Sequence, residues 1–179
     1  MDLEKQNRIV ILQEPKPKSK NVALRKEPVK RVITESKKWN FTEIELSPSY
    51  QRTLLLDQEP SSETVDFVKQ QIRGKISGYK SQDREKSLFC QEKFVTESDV
   101  LSLFETSELI CYYCKEDVLL LYEYVRESKQ WSLERLDNKF GHNRDNVVIA
   151  CLRCNLRRRC IHSERYVQTQ QMRNVVKMP

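Results

Sequence analysis

Four of the six cysteines in this 179-residue chain fall into two Cys-x-x-Cys pairs, Cys111 with Cys114 and Cys151 with Cys154, separated by 36 residues. A turn of this kind presents two thiolates to one ion, and two such turns complete the tetrahedral sulfur shell that Zn²⁺ favours. With four sulfur ligands the ion has no open position for water, so the implied role is structural. Structural zinc in small peptides carries an apparent binding free energy of about 10–16 kcal/mol. A small core supplies less than that, and loss of the metal is expected to unfold the domain. The competing reading, a redox dithiol or unrelated buried cysteines, leaves two matched pairs around one segment unexplained. Cys90 and Cys160 are read as packing residues or free thiols, since with His162 they form only three irregularly spaced candidates for a second metal site.

Between the pairs runs Trp131-Ser132-Leu133-Glu134-Arg135-Leu136-Asp137-Asn138, then Gly141-His142 and Asp145-Asn146-Val147-Val148, ending in Cys151-Leu152-Arg153-Cys154-Asn155. Over about 45 residues this pattern resembles the ββα-metal domain of HNH endonucleases, a treble-clef-like zinc fold. It is the variety in which a Leu-Asp-Arg-Ile-Asp-like strand, a Gly-His or Gly-Tyr loop and Asp-Asn lead into Cys-x-x-Cys-Asn. A looser likeness, from Val65 to Lys177, is to uncharacterised zinc proteins of large DNA viruses.

The resemblance implies a hairpin and helix that hold one divalent ion, Mg²⁺ or Mn²⁺, against a scissile DNA phosphate while a nearby histidine activates water. Asn155, directly after the second pair, stands where the family has a metal ligand, and its amide oxygen suits a hard cation. Glu134 stands at the position of an Asp ligand, one methylene longer. Asn146 matches the residue that holds the catalytic loop in place. Arg135 occupies the position of the general-base His, and a guanidinium with a pKa above about 12 cannot accept a proton from water. That departure leaves His142 or Asp137 as substitute base, with Arg135 neutralising phosphate charge. Residues 151–165 carry five arginines against one glutamate. Arg153, Arg157 and Arg158 are expected to meet nucleic acid, and residues three or four apart on a helix share a face.

The elements that must hold these residues are read from periodicity. Val65, Val68, Ile72 and Ile76 recur at helical spacing after Ser61 and Ser62, predicting a helix over residues 63–76 that Gly78 helps to end. Residues Tyr79 to Arg84 then read as a polar connector. Thr96 and Asp99 resemble a capping box opening a helix from Glu97 to Glu105. Val118 to Val125 and Trp131 to Leu133 read as a β-hairpin, residues 137–146 as a loop, Val147 to Ala150 as a strand, and Cys151 to about Cys160 as a helix.

The resulting expectation is an α+β chain with a zinc-stapled HNH-like domain. It divides into a disordered basic arm (1–40), a linker (41–60), a helical segment (61–96), the zinc domain (97–165) and a C-terminal extension (166–179). The arm carries the whole formal charge of +6, a pattern that attracts polyanions and favours nucleic acid over anionic membrane. No stretch reaches the roughly 18 apolar residues of a membrane span, and residues 1–8 lack the apolar region of a secretory signal, so a soluble intracellular protein, such as a viral protein in an infected cell, is expected. The leading functional expectation is a metal-dependent HNH-type endonuclease hydrolysing DNA phosphodiester bonds. The alternatives are a catalytically inactive zinc-stabilised nucleic-acid-binding protein and a purely structural or protein-interaction module.

Overall fold

A computed structural model of the chain describes residues 27–32, 41–56 and 63–173. The expectations for residues 1–26, 33–40, 57–62 and 174–179 lie outside the described residues. The architecture is mixed: helices α1 (Glu43–Leu46), α2 (Pro48–Leu56), α3 (Glu63–Glu85) and α4 (Glu97–Ser107) precede strands β1 (Trp131–Arg135) and β2 (Val147–Cys151), followed by α5 (Leu152–Arg158) and α6 (Ser163–Arg173). No helix among the described residues is long and apolar enough to cross a membrane.

Local chemistry accounts for the helix starts. Thr42 with Glu45 and Thr96 with Asp99 form reciprocal capping boxes, so α1 and α4 begin with two orphan backbone N–H groups satisfied each. The residue ending α4, Glu108, is left-handed and returns its N–H to the last turn. In α3 the acidic residues Glu63 and Asp66 lie in the first turn, where the helix dipole favours negative charge.

Two expectations are corrected here. Helix α3 does not stop near Gly78 but continues through Gly74 and Gly78 to Glu85, so the supposed connector is helical. Each glycine weakens a helix by about 1 kcal/mol. The extra turns are held by tertiary contacts, because Tyr79 and Asp83 continue the apolar stripe of Ile72 and Ile76 and turn inward. The sheet also differs from the expected hairpin: β1 pairs antiparallel with β2, Trp131 opposite Cys151 and Arg135 opposite Val147. The aliphatic run after Val118 makes only an isolated bridge to that region, Leu119 with Gln130. Two of its amides are taken by a side chain. The buried Gln51 of α2 accepts from Leu120 and Leu121 N–H at 2.7 and 3.0 Å and donates to Leu121 C=O, replacing a strand partner.

The described residues of the segments expected as arm and linker, 27–32 and 41–56, contact the rest of the fold. Phe41 is buried against Phe67, ring centroids 5.9 Å apart. Residues 27–32 run beside 123–125, where Arg31 N–H donates to Glu123 C=O and Val125 N–H to Val29 C=O, both at 2.8 Å. Arg31 also lies over the Tyr122 ring. The core joins α3, α4 and the sheet through Ile72, Val100, Phe104, Leu120, Trp131, Leu133 and Ile149, with Phe104 edge-on to Trp131. Among the described residues the outer edge of β1 has no third strand. Helix α3 covers it instead: Leu133 N–H donates to the Tyr79 hydroxyl, and Lys75 Nζ donates to Trp131 C=O.

Candidate active site and metal centre

The first cysteine pair sits in a tight turn after α4. Lys115 takes a left-handed φ of 58° to close it, its N–H donating to Cys111 C=O, while Tyr112 N–H donates to Ile149 C=O and so ties the turn to β2. The second pair straddles the end of β2, where Cys151 caps α5 and its sulfur accepts from Cys154 N–H at 3.4 Å. Cys151 N–H in turn donates to Cys111 Sγ at 3.3 Å. All four sulfurs lie within 4.8 Å of one another. Cys114 and Cys151 are 3.9 Å apart, close to the edge of about 3.8 Å that a tetrahedron with 2.3 Å Zn–S bonds requires, and well beyond a disulfide bond. Backbone N–H donors and the N-terminus of α5 favour thiolates here. Arg153 adds charge, donating to Cys114 Sγ at 3.7 Å while paired with Glu116 at 2.9 Å. The donor set therefore fits a closed structural zinc. Cys90, Cys160 and His162 join no metal-ligating cluster among the described residues.

An open cleft of about 270 Å³ is lined by Glu134, Arg135, His142, Asn155, Arg159 and Lys86, among others. Three elements build it: β1, the start of α5 and the last turns of α3. Asn155 donates from Nδ2 to Ser132 Oγ and Leu133 C=O at 3.2 and 3.4 Å, which leaves its oxygen as the atom available for coordination. Asn146 ties the preceding loop at both ends, accepting from Asp137 N–H and donating to the carbonyls of Asp137 and Gly141. Asp137 is used within its own turn, accepting from Lys139 N–H at 2.9 Å.

His142 is 5% exposed, and its ring nitrogen Nδ1 lies 2.8 Å from Oδ1 of Asp83, which is fully buried. Asp83 Oδ2 accepts the backbone N–H of His142 at 2.6 Å. The imidazole stacks on Tyr79 with centroids 4.3 Å apart. Burial pulls the imidazolium below its ordinary pKa, opposed by Asp83 and assisted by Arg135 and Lys86. Gly141 permits the approach, since a Cβ there would fall 2.5 Å from Leu88 O and 2.6 Å from Asp83 Oδ2. Asp83 is not among the site residues expected from the sequence. The signal was present, because Tyr79 and Asp83 extend the spacing of Ile72 and Ile76 beyond the expected helix end.

The arginines divide. Arg158, expected at nucleic acid, is instead 1% exposed inside the fold. It pairs through Nε with Glu134 and donates to the carbonyls of Arg135 and Ile161 and to Asn138 Oδ1. Arg153 is engaged at the cysteine cluster. Arg157 is exposed, while Arg135 and Arg159 line the cleft. Burial raises the Glu134 pKa against the pull of Arg158 and Arg135. Glu134 and Asn155 thus supply oxygen donors of the kind a hard cation takes, one of them already charge-paired. Compared with protein-family models, curated proteins and solved structures, the chain gives no match.

Proposed function

We propose that this chain is a zinc-stapled, HNH-type endonuclease that hydrolyses DNA phosphodiester bonds in the cleft between β1, α5 and α3. The observation that carries the reading is His142, a buried imidazole tied to a buried carboxylate through Nδ1, lining a cleft with Lys86, Arg135 and Arg159. In this reading Nε2 takes a proton from the attacking water, and the three cations offset the charge that builds on the phosphate. Arg135, standing at the family's base position, acts as a phosphate contact and not as a base. Asn155 and Glu134 would hold a Mg²⁺ or Mn²⁺ ion, which when bound would polarise the scissile phosphate. Exposed Arg157 extends the cationic surface along α5 for the backbone of the duplex.

The second reading, a nucleic-acid-binding protein without hydrolysis, is favoured by one observation: the Glu134 carboxylate is neutralised by Arg158, which weakens it as a metal ligand. Nicking of supercoiled plasmid by the zinc-loaded protein with added Mg²⁺ or Mn²⁺ separates the two. Nicking that disappears in His142→Gln and Asn155→Ala supports the enzyme. Salt-sensitive DNA binding without nicking by wild type sinks it in favour of the binding protein.

A further inference from the structure

We infer that Asp83 is the positioning residue of this cleft, holding His142 as the Nδ1–H tautomer so that Nε2 is the proton acceptor presented to the cleft. As catalysis this rests on the nuclease reading above; as a statement about the imidazole it stands alone.

The geometry leaves little freedom. The backbone N–H of His142 can only donate, and it occupies Asp83 Oδ2. The remaining carboxylate oxygen, Oδ1, is an acceptor facing Nδ1 at 2.8 Å, so the ring proton belongs on Nδ1. Tyr79, one helical turn before Asp83, clamps the ring face, and its own hydroxyl is fixed by Leu133 N–H. The ring therefore has neither a rotational nor a tautomeric alternative at low cost. The groups facing it are Asp83 and Tyr79 from α3, Lys86 just beyond α3, Arg135 and Glu134 from β1, and Arg159 after α5. Of these, only Asp83 contacts Nδ1 among the described residues.

The position of Asp83 gives this a consequence for the fold. The carboxylate comes from α3, outside the hairpin and helix that carry Glu134, His142 and Asn155. The last turns of α3 therefore belong to the site.

The test is Asp83→Asn. In the variant the amide oxygen must still meet His142 N–H, which turns the NH₂ group towards Nδ1. Nδ1 then becomes an acceptor, and the proton moves to Nε2. Nitrogen-15 NMR of the imidazole should show the Nδ1–H form in wild type and the Nε2–H form in Asp83→Asn. Nicking by the variant should fall by about 10²- to 10⁴-fold, the range for losing a correctly protonated general base. The acid limb of its pH profile should also move to lower pH as the carboxylate's support of the imidazolium is lost. An Nε2–H wild type, or a variant that keeps both the Nδ1–H form and wild-type nicking, overturns the inference. If Asp83→Asn does not fold, the wild-type spectrum decides. If wild type never nicks DNA but its tautomer is Nδ1–H and inverts in the variant, the nuclease reading fails and the positioning role stands.

Discussion

Arg158 of α5 donates from Nε to the carboxylate of Glu134 on β1 within the core, and its other nitrogens are taken by the carbonyls of Arg135 and Ile161 and by Asn138. An arginine on a basic helix is thereby a brace between strand, loop and helix. Removing one member of such a pair leaves a buried charge without compensation, at a cost of about 3–5 kcal/mol. Arg158→Leu should lower stability by that amount in urea unfolding, and adding Glu134→Leu should recover much of it. A single-variant loss below about 1 kcal/mol would show that the pair is not buried as described.

Metal removal is the second test. The four sulfurs form a closed shell suited to one zinc per chain, so elemental analysis should find one equivalent, and a strong chelator should abolish the cooperative unfolding transition. Cys154→Ser should behave like the chelated protein. Native circular dichroism persisting after complete zinc removal would mean that the apolar core suffices without the metal.

The three glycines separate by environment. A Cβ at Gly74 or Gly78 meets nothing within 4 Å. Ala at either site should therefore stabilise α3 by about 0.5–1 kcal/mol, read as a raised denaturation midpoint. Gly141→Ala should destabilise, because the added methyl collides with backbone at Leu88 as well as with Asp83. Equal responses at all three positions would contradict the close approach of this loop to α3.

Lys75 sets a pH dependence. Its ammonium lies over Trp131 at 4.1 Å with Arg31 nearby. Burial first, and the Arg31 charge second, bring it down to about 7. In the unfolded chain a lysine titrates near 10.4. Between these values the unfolded chain holds the extra proton, so stability should rise as pH increases from about 7 towards 10 and be flat with respect to this group below 7. Lys75→Met should add about 1–3 kcal/mol at pH 7 and remove most of that rise, measured by urea unfolding at pH 7 and pH 9.

Several features were legible because their cause is local. A capping box needs only residues three apart, so Thr96 with Asp99 could be read directly. A cysteine knuckle is a four-residue turn, and the two pairs predicted the sulfur cluster. The run after Val118 misled because aliphatic composition marks a buried segment, not its partner, and the partner is the amide of Gln51. Gly78 misled because a weak helix position yields when Tyr79 and Asp83 find contacts beyond it.

The sequence by itself determined which residue types are present and where short-range geometry must act: the four sulfur ligands, the helix starts, the apolar stripe of α3 and the adjacency of Asn155 to Cys154. Only the tertiary structure decided the company of the charged residues. Asp83 meets His142 across 59 positions, and Glu134 meets Arg158 across 24. Such pairings are set by how α3 and α5 pack on one small sheet, where burial makes an unpaired charge costly and so selects each partner, and no local periodicity encodes that choice.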